Sequence, residues 1–108
     1  MDQQTLDGTD ISELRRRYRR LITESLPRAA QSGEGWPLHA DHCFVRVVLD
    51  NVFEDEWYDQ VDGRPAQENL SAAQLRSAID IAERLLEAGP SLAADLNDRS
   101  LRWRGHRG

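Results

Sequence analysis

The chain has 108 residues, and all 14 of its Lys plus Arg positions are arginine, set against 19 Asp and Glu for a formal net charge of -5. The lack of lysine excludes Schiff-base chemistry, a tuned amine base and the lysine of a phosphate-binding loop. The size fits one domain with a modest core, and 39% apolar residues suffice for a packed interior despite a mean hydropathy of -0.69.

Met1 to Asp10 has neither the basic start nor the apolar run of a secretory signal, and residues 1–9 read as a disordered N-terminus. Asp10 with Glu13 predicts a capping box, and Ile11, Leu14, Tyr18, Leu21 and Ile22 form one apolar stripe at helical spacing. Arg15, Arg16, Arg17, Arg19 and Arg20 fill most of the remaining circumference. Proline disfavours helix in the residue before it, so the helix is expected to stop by Leu26, and 27–37, with Ser32, Gly33, Glu34 and Gly35, reads as a flexible linker.

A second helix is predicted from Asp41 as cap, with Val45, Val48, Leu49, Val52 and Phe53 at i, i+3, i+4, i+7 and i+8. A strand competes over Phe44 to Leu49, but strict alternation is absent. Arg46 and Asp50, four apart, are placed to pair on the other side. Residues 54–70 form an acidic loop, and Trp57, Tyr58 and Val61 anchor it to the core as an ordered segment. The third helix is the plainest: Ser71 and Gln74 make a capping box, Leu70 and Leu75 a hydrophobic staple. Leu75, Ala78, Ile79, Ala82, Leu85 and Leu86 are its buried stripe, and Gly89 with Pro90 end it. A last helix runs from about Ser91 towards Trp103, carried by Leu92, Leu96, Leu101 and Trp103, with Asn97 or Asp98 as candidate breaks; residues 106–108 are loose. The expectation is a single all-α domain over 10–105, a small bundle of about four helices.

His39, Asp41, His42 and Cys43 are the densest cluster of reactive side chains. Two imidazoles three apart and a thiol are zinc-type ligands, yet no CxxC or HExxH accompanies them, so no metal and no cofactor are expected. Cys43 in a first helical turn is a candidate nucleophile beside His42, against the plainer reading of a thiol buried as a small hydrophobe. Arg99, Arg102, Arg104 and Arg107 with Trp103 make a second basic segment, suited to gripping phosphate and stacking on a ring. The cheaper reading neutralises both basic segments within the chain. Trp36 and Trp57 flank the second helix, either lining a small pocket or packing in the core.

The string His42, Cys43, Phe44, Arg46, Leu49, Asp50, Asn51 and Trp57, closed by Ser100, Leu101, Arg102, Trp103, Arg104 and Gly105, resembles small uncharacterised bacterial proteins, some of them labelled relatives of GCN5-type acetyltransferases. The resemblance covers residues 39–105. The chain departs from the acetyltransferase pattern: no central mixed sheet is legible, no Gly-rich loop offers amides to a pyrophosphate, and the length is short for that fold. No catalytic residue is therefore transferred, and the label implies at most an accessory unit. A shared polar set has a physical reading of its own. Arg46, Asp50 and His42 with Arg102 and Arg104 would form a buried network locking the last helix onto the second, in competition with a ligand site built from the same groups.

No apolar run is long enough to span a bilayer, since Arg46 interrupts even Phe44 to Leu49, and lone Cys43 has no internal disulfide partner. These features set the expectation of a cytoplasmic helical module without membrane contact that acts on a protein partner. Two alternatives stand beside it: an enzyme or enzyme fragment of acyl-transferase type with a site at His42 and Cys43, and nucleic-acid binding through the arginine segments, which overall acidity disfavours. His39, Arg46, Asp50, Trp57, Arg102, Trp103 and Arg104 are the ligand or network candidates. The segment from Asp50 to Glu68 carries seven acids against one arginine, so the net charge conceals two basic surfaces and an acidic one.

Overall fold

The computed structural model describes residues 11–57 and 69–105, which form an all-α bundle with no strand among them. In chain order the elements are α1 (Ile11–Arg20), a π-helical turn (Leu21–Ser25), α2 (Leu26–Ser32), α3 (Asp41–Phe53), α4 (Ala72–Ala88) and α5 (Pro90–Trp103). The first three run together as one rod, because Arg20, Ser25 and Leu26 all keep right-handed helical dihedrals. The bundle therefore has four rods. None of its helices is long and apolar enough to cross a membrane.

The helix expected to stop by Leu26 instead passes through Pro27 and ends at Gly33, so the first six residues of the expected linker are helical. In a regular α-helix the ring of Pro27 would meet the carbonyl of Thr23 and offer no N–H, a cost of about 3 kcal/mol. Here the turn before it is widened: the Leu26 N–H reaches back five residues to the Leu21 carbonyl. Such a turn re-registers the ladder around the ring. Burial of Leu26 and Ala30 offsets the cost that remains. A Cβ on Gly33 would stand 3.0 Å from Trp36 Nε1, so the missing side chain lets Trp36 fold back over the helix end. There the Trp36 ring meets Phe44 edge-on at 6.1 Å between centroids.

α3 is helix and not strand, and it starts one residue earlier than expected, with Ala40 as cap and Asp41 inside the first turn. Its buried face is also rotated from the expected stripe. Phe44, Val47, Val48, Leu49 and Asp50 are buried, while Val45, Val52 and Phe53 are only half-buried. The reason is position: α3 packs on α4, α5, α2 and the π-helical turn together, so it has no single inward line. The α4 start matches the sequence reading, with the Ser71 and Gln74 side chains each bonded to the other's backbone N–H. Leu70 and Leu75 are both buried, as a staple requires. Leu86, expected in the stripe, is 36% exposed, because the buried face at that end of α4 runs through Ala82 and Leu85 instead. Gly89 at φ 82 and Pro90 make the sharp corner into α5, which continues unbroken through Asn97 and Asp98. The expectations for Asp10, residues 1–9, Tyr58, Val61 and residues 106–108 lie outside the described residues.

Candidate functional site

The side chains that converge most closely belong to α3, the turn after it and the end of α5. Asp50 is a carboxylate on a core-facing position of α3 with 0% exposure. An isolated buried carboxylate is costly unless its lone pairs are met. All of them are: Oδ2 accepts from Ser100 Oγ at 2.6 Å and from Arg104 Nε at 2.6 Å. Oδ1 accepts from Arg104 Nη2 at 3.1 Å and from the Trp57 backbone N–H at 3.1 Å. The Arg104 contact is the two-pronged guanidinium–carboxylate geometry, the strongest form of ion pair available to side chains. Its third nitrogen, Nη1, stands 3.9 Å from Glu56 Oε2.

The backbone is bent to make this arrangement. Glu54 adopts left-handed dihedrals (φ 56, ψ 39), which costs a non-glycine residue about 1 kcal/mol and reverses the chain at the α3 end. The reversal brings the Trp57 N–H back to Asp50 and buries the indole to 5% exposure. At the other side, Gly105 at φ 77 ends α5 just after Arg104 has turned inward.

Arg46 does not pair with Asp50 as its i, i+4 spacing predicted. Asp50 is taken by Arg104, and Arg46 instead crosses to α5, donating to Ser100 Oγ at 2.8 Å and to Asn97 Oδ1 at 2.8 Å. Ser100 thus accepts from one arginine while donating to the carboxylate. Asn51 adds a further tie, its Nδ2 donating to the Val47 carbonyl and across to the Leu96 carbonyl. The structure therefore brings Arg46, Asp50, Trp57 and Arg104 together, joined by Ser100, Asn97, Asn51 and Glu56.

The other sequence candidates lie apart. His42 borders the group, but its side chain is 83% exposed and its nearest acid, Asp41, is 3.9 Å away. His39 is exposed, and Cys43 is half-buried against the core. No group of three His, Cys, Asp or Glu able to hold a metal occurs among the described residues. Arg102 points to solvent and pairs with Asp98, and Trp103 is half-buried. Trp36 is in the core, whereas Trp57 forms one wall of a cleft of about 250 Å³ with His42, Val45, Arg46 and Arg104.

Ser100 and Asn97 were not among the site candidates read from the sequence, although a signal for Ser100 existed. Ser100 falls on the apolar line of α5 through Ala93 and Leu96, and a small polar residue on such a line marks a buried hydrogen bond. No protein-family model, curated protein or solved structure matches this chain.

Proposed function

We propose that the chain is a helical binding module that acts through a protein partner, with the arginine face of α1 receiving an acidic segment of that partner. The observation that carries this reading is that Arg16, Arg17 and Arg20 of α1 line one groove together with Leu14 and Leu21, on a helix whose arginines are spaced one turn from one another. On α4 and α5 each of three arginines has its own acid four residues earlier: Arg84 with Asp80, Arg99 with Asp95, Arg102 with Asp98. Arg104 is held by Asp50. On α1 the residues four before Arg19 and Arg20 are Arg15 and Arg16, a like-charge arrangement that costs a helix some tenths of a kcal/mol. Arg17 reaches across, to Glu83 of α4.

Arg16, Arg17 and Arg20 line a broad groove beside Leu14 and Leu21, closed on one side by Glu83. Guanidiniums set among apolar side chains suit a carboxylate-bearing helix or strand, whose charges would set on-rate and register. The flanking Glu13 and Glu83 disfavour a continuous phosphate backbone. The test is fluorescence anisotropy with an amphipathic Glu- and Leu-containing peptide and, separately, a single-stranded oligonucleotide, each at low and high salt. The peptide is expected to bind more tightly than the oligonucleotide, and to weaken about tenfold as salt screens the pairs. Binding of the oligonucleotide alone, with a steep salt slope, would transfer the surface to nucleic acid and overturn the reading.

A further inference from the structure

The cleft between α3 and the end of α5 is independent of the α1 groove, and we infer that it is a binding site for a small organic oxyanion carried on a flat apolar body, with Arg46 receiving the anionic head. The argument begins with charge. Arg104 is neutralised by Asp50, whose two oxygens are both committed to groups around it. Arg46 is half-buried, and its hydrogen-bond partners are the neutral Ser100 and Asn97. A guanidinium has five N–H donors and these two bonds use two of them. Removing a charged group from water without a counter-charge is expensive. Here the cation is held in place by two neutral acceptors on α5 and left facing a cleft.

The lining of that cleft fits such a ligand. Among the described residues the lining is His42, Val45, Arg46, Trp57 and Arg104, with no carboxylate, and the acids close to it, Asp50 and Glu56, stand against Arg104. Trp57 and Val45 supply a ring and a branched aliphatic surface for the body of the ligand. The volume of about 250 Å³ is roughly eight water volumes, enough for one ring and its head group and too small for a nucleotide. The wall is also rigid. Arg104 is fixed by its double contact to Asp50, Trp57 by its N–H to the same carboxylate, and Arg46 by its two bonds, so little ordering remains to be done on binding.

Carboxylates and phosphate monoesters present the same chemistry to a guanidinium, as bidentate acceptors. Benzoate, phenyl phosphate, inorganic phosphate and the neutral benzamide are therefore titrated into the full chain and followed by NMR of backbone amides and arginine Nε–H groups. Benzoate or phenyl phosphate is expected to saturate with a Kd of about 1 mM or tighter, moving the Arg46 and Trp57 signals, while benzamide does not. Binding of only one of the two assigns the head group. Arg46→Gln is expected to weaken binding at least about tenfold. Val45→Trp, which fills the cleft and keeps Arg46, is expected to block it and provides a check should the first variant misfold. The inference is overturned by shifts that fail to saturate and are matched by sodium chloride, by inorganic phosphate binding as well as phenyl phosphate, or by undiminished binding in a natively folded Arg46→Gln or Val45→Trp protein.

Discussion

Replacing Asp50 by asparagine is expected to cost about 3–5 kcal/mol of folding stability, a large part of the 5–15 kcal/mol that a domain of this size has. The carboxylate is fully buried and accepts four hydrogen bonds from three residues, Trp57 after α3 and Ser100 and Arg104 at the end of α5. Asparagine keeps the volume but presents an NH2 to donors on one side and takes from the guanidinium of Arg104, only 12% exposed, its two-pronged counter-charge. Most of the loss is the penalty of burying that cation without its main partner, not the intrinsic worth of the pair. Arg104→Met in the Asp50→Asn background should accordingly recover part of the loss, and urea denaturation of the two single variants and the double would measure the coupling. A loss below about 1 kcal/mol for Asp50→Asn would mean that the buried carboxylate adds little to holding α5 in place.

The second large effect is at alkaline pH, and the absence of lysine makes it readable. Burial pushes the Tyr18 phenol well above its ordinary value near 10. The unfolded phenol ionises near pH 10 while the folded one keeps its proton, so the native state binds more protons than the unfolded state above that pH. Stability is therefore full below about pH 10 and falls by about 1.4 kcal/mol per pH unit above it, until the buried group itself ionises. In most proteins lysines titrate in the same window, but none is present here, and Tyr58 is the one other tyrosine. Tyr18→Phe is expected to remove this slope. The same variant should match or exceed the parent at neutral pH, because the Tyr18 hydroxyl is buried with no hydrogen-bond partner among the described residues. Denaturant midpoints from pH 7 to 12 check both points, and an unchanged alkaline loss in Tyr18→Phe would assign it elsewhere.

What the sequence made legible divides along physical lines. α4 was readable to the residue because its signals are local: the Ser71–Gln74 capping box, Leu70 before it and Gly89–Pro90 after it act within a few positions. The passage of the first rod through Pro27 was not, since it depends on a widened turn stabilised by burying Leu26 and Ala30 against other helices. The α3 face was misjudged by about one position for a related reason: hydrophobic periodicity finds one inward stripe, and α3 is surrounded. Within the candidate site, Arg46, Asp50 and Arg104 could be singled out as charges on or near apolar helices, but their pairing could not. Arg46 and Asp50 have ideal spacing for each other, and tertiary contacts with Ser100, Asn97 and Arg104 outweigh a local pair worth only a few tenths of a kcal/mol.

The same division governs function. Two arginine-rich segments look equivalent in sequence, and the fold separates them: Arg99 and Arg102 of α5 each pair with an acid one turn earlier and Arg104 with Asp50, while on α1 Arg15 and Arg16 stand one turn before Arg19 and Arg20. Reciprocal charge reversal tests that asymmetry most directly, comparing Arg16→Glu/Arg20→Glu with Arg99→Glu/Arg102→Glu in both acidic-peptide binding and stability. The α1 pair is expected to lose peptide binding by about tenfold or more while stability holds or rises by a few tenths of a kcal/mol. The α5 pair is expected to lose stability by a similar few tenths each and to keep binding. Equal loss of binding in both variants, or binding retained by the α1 variant, would contradict a partner surface on α1.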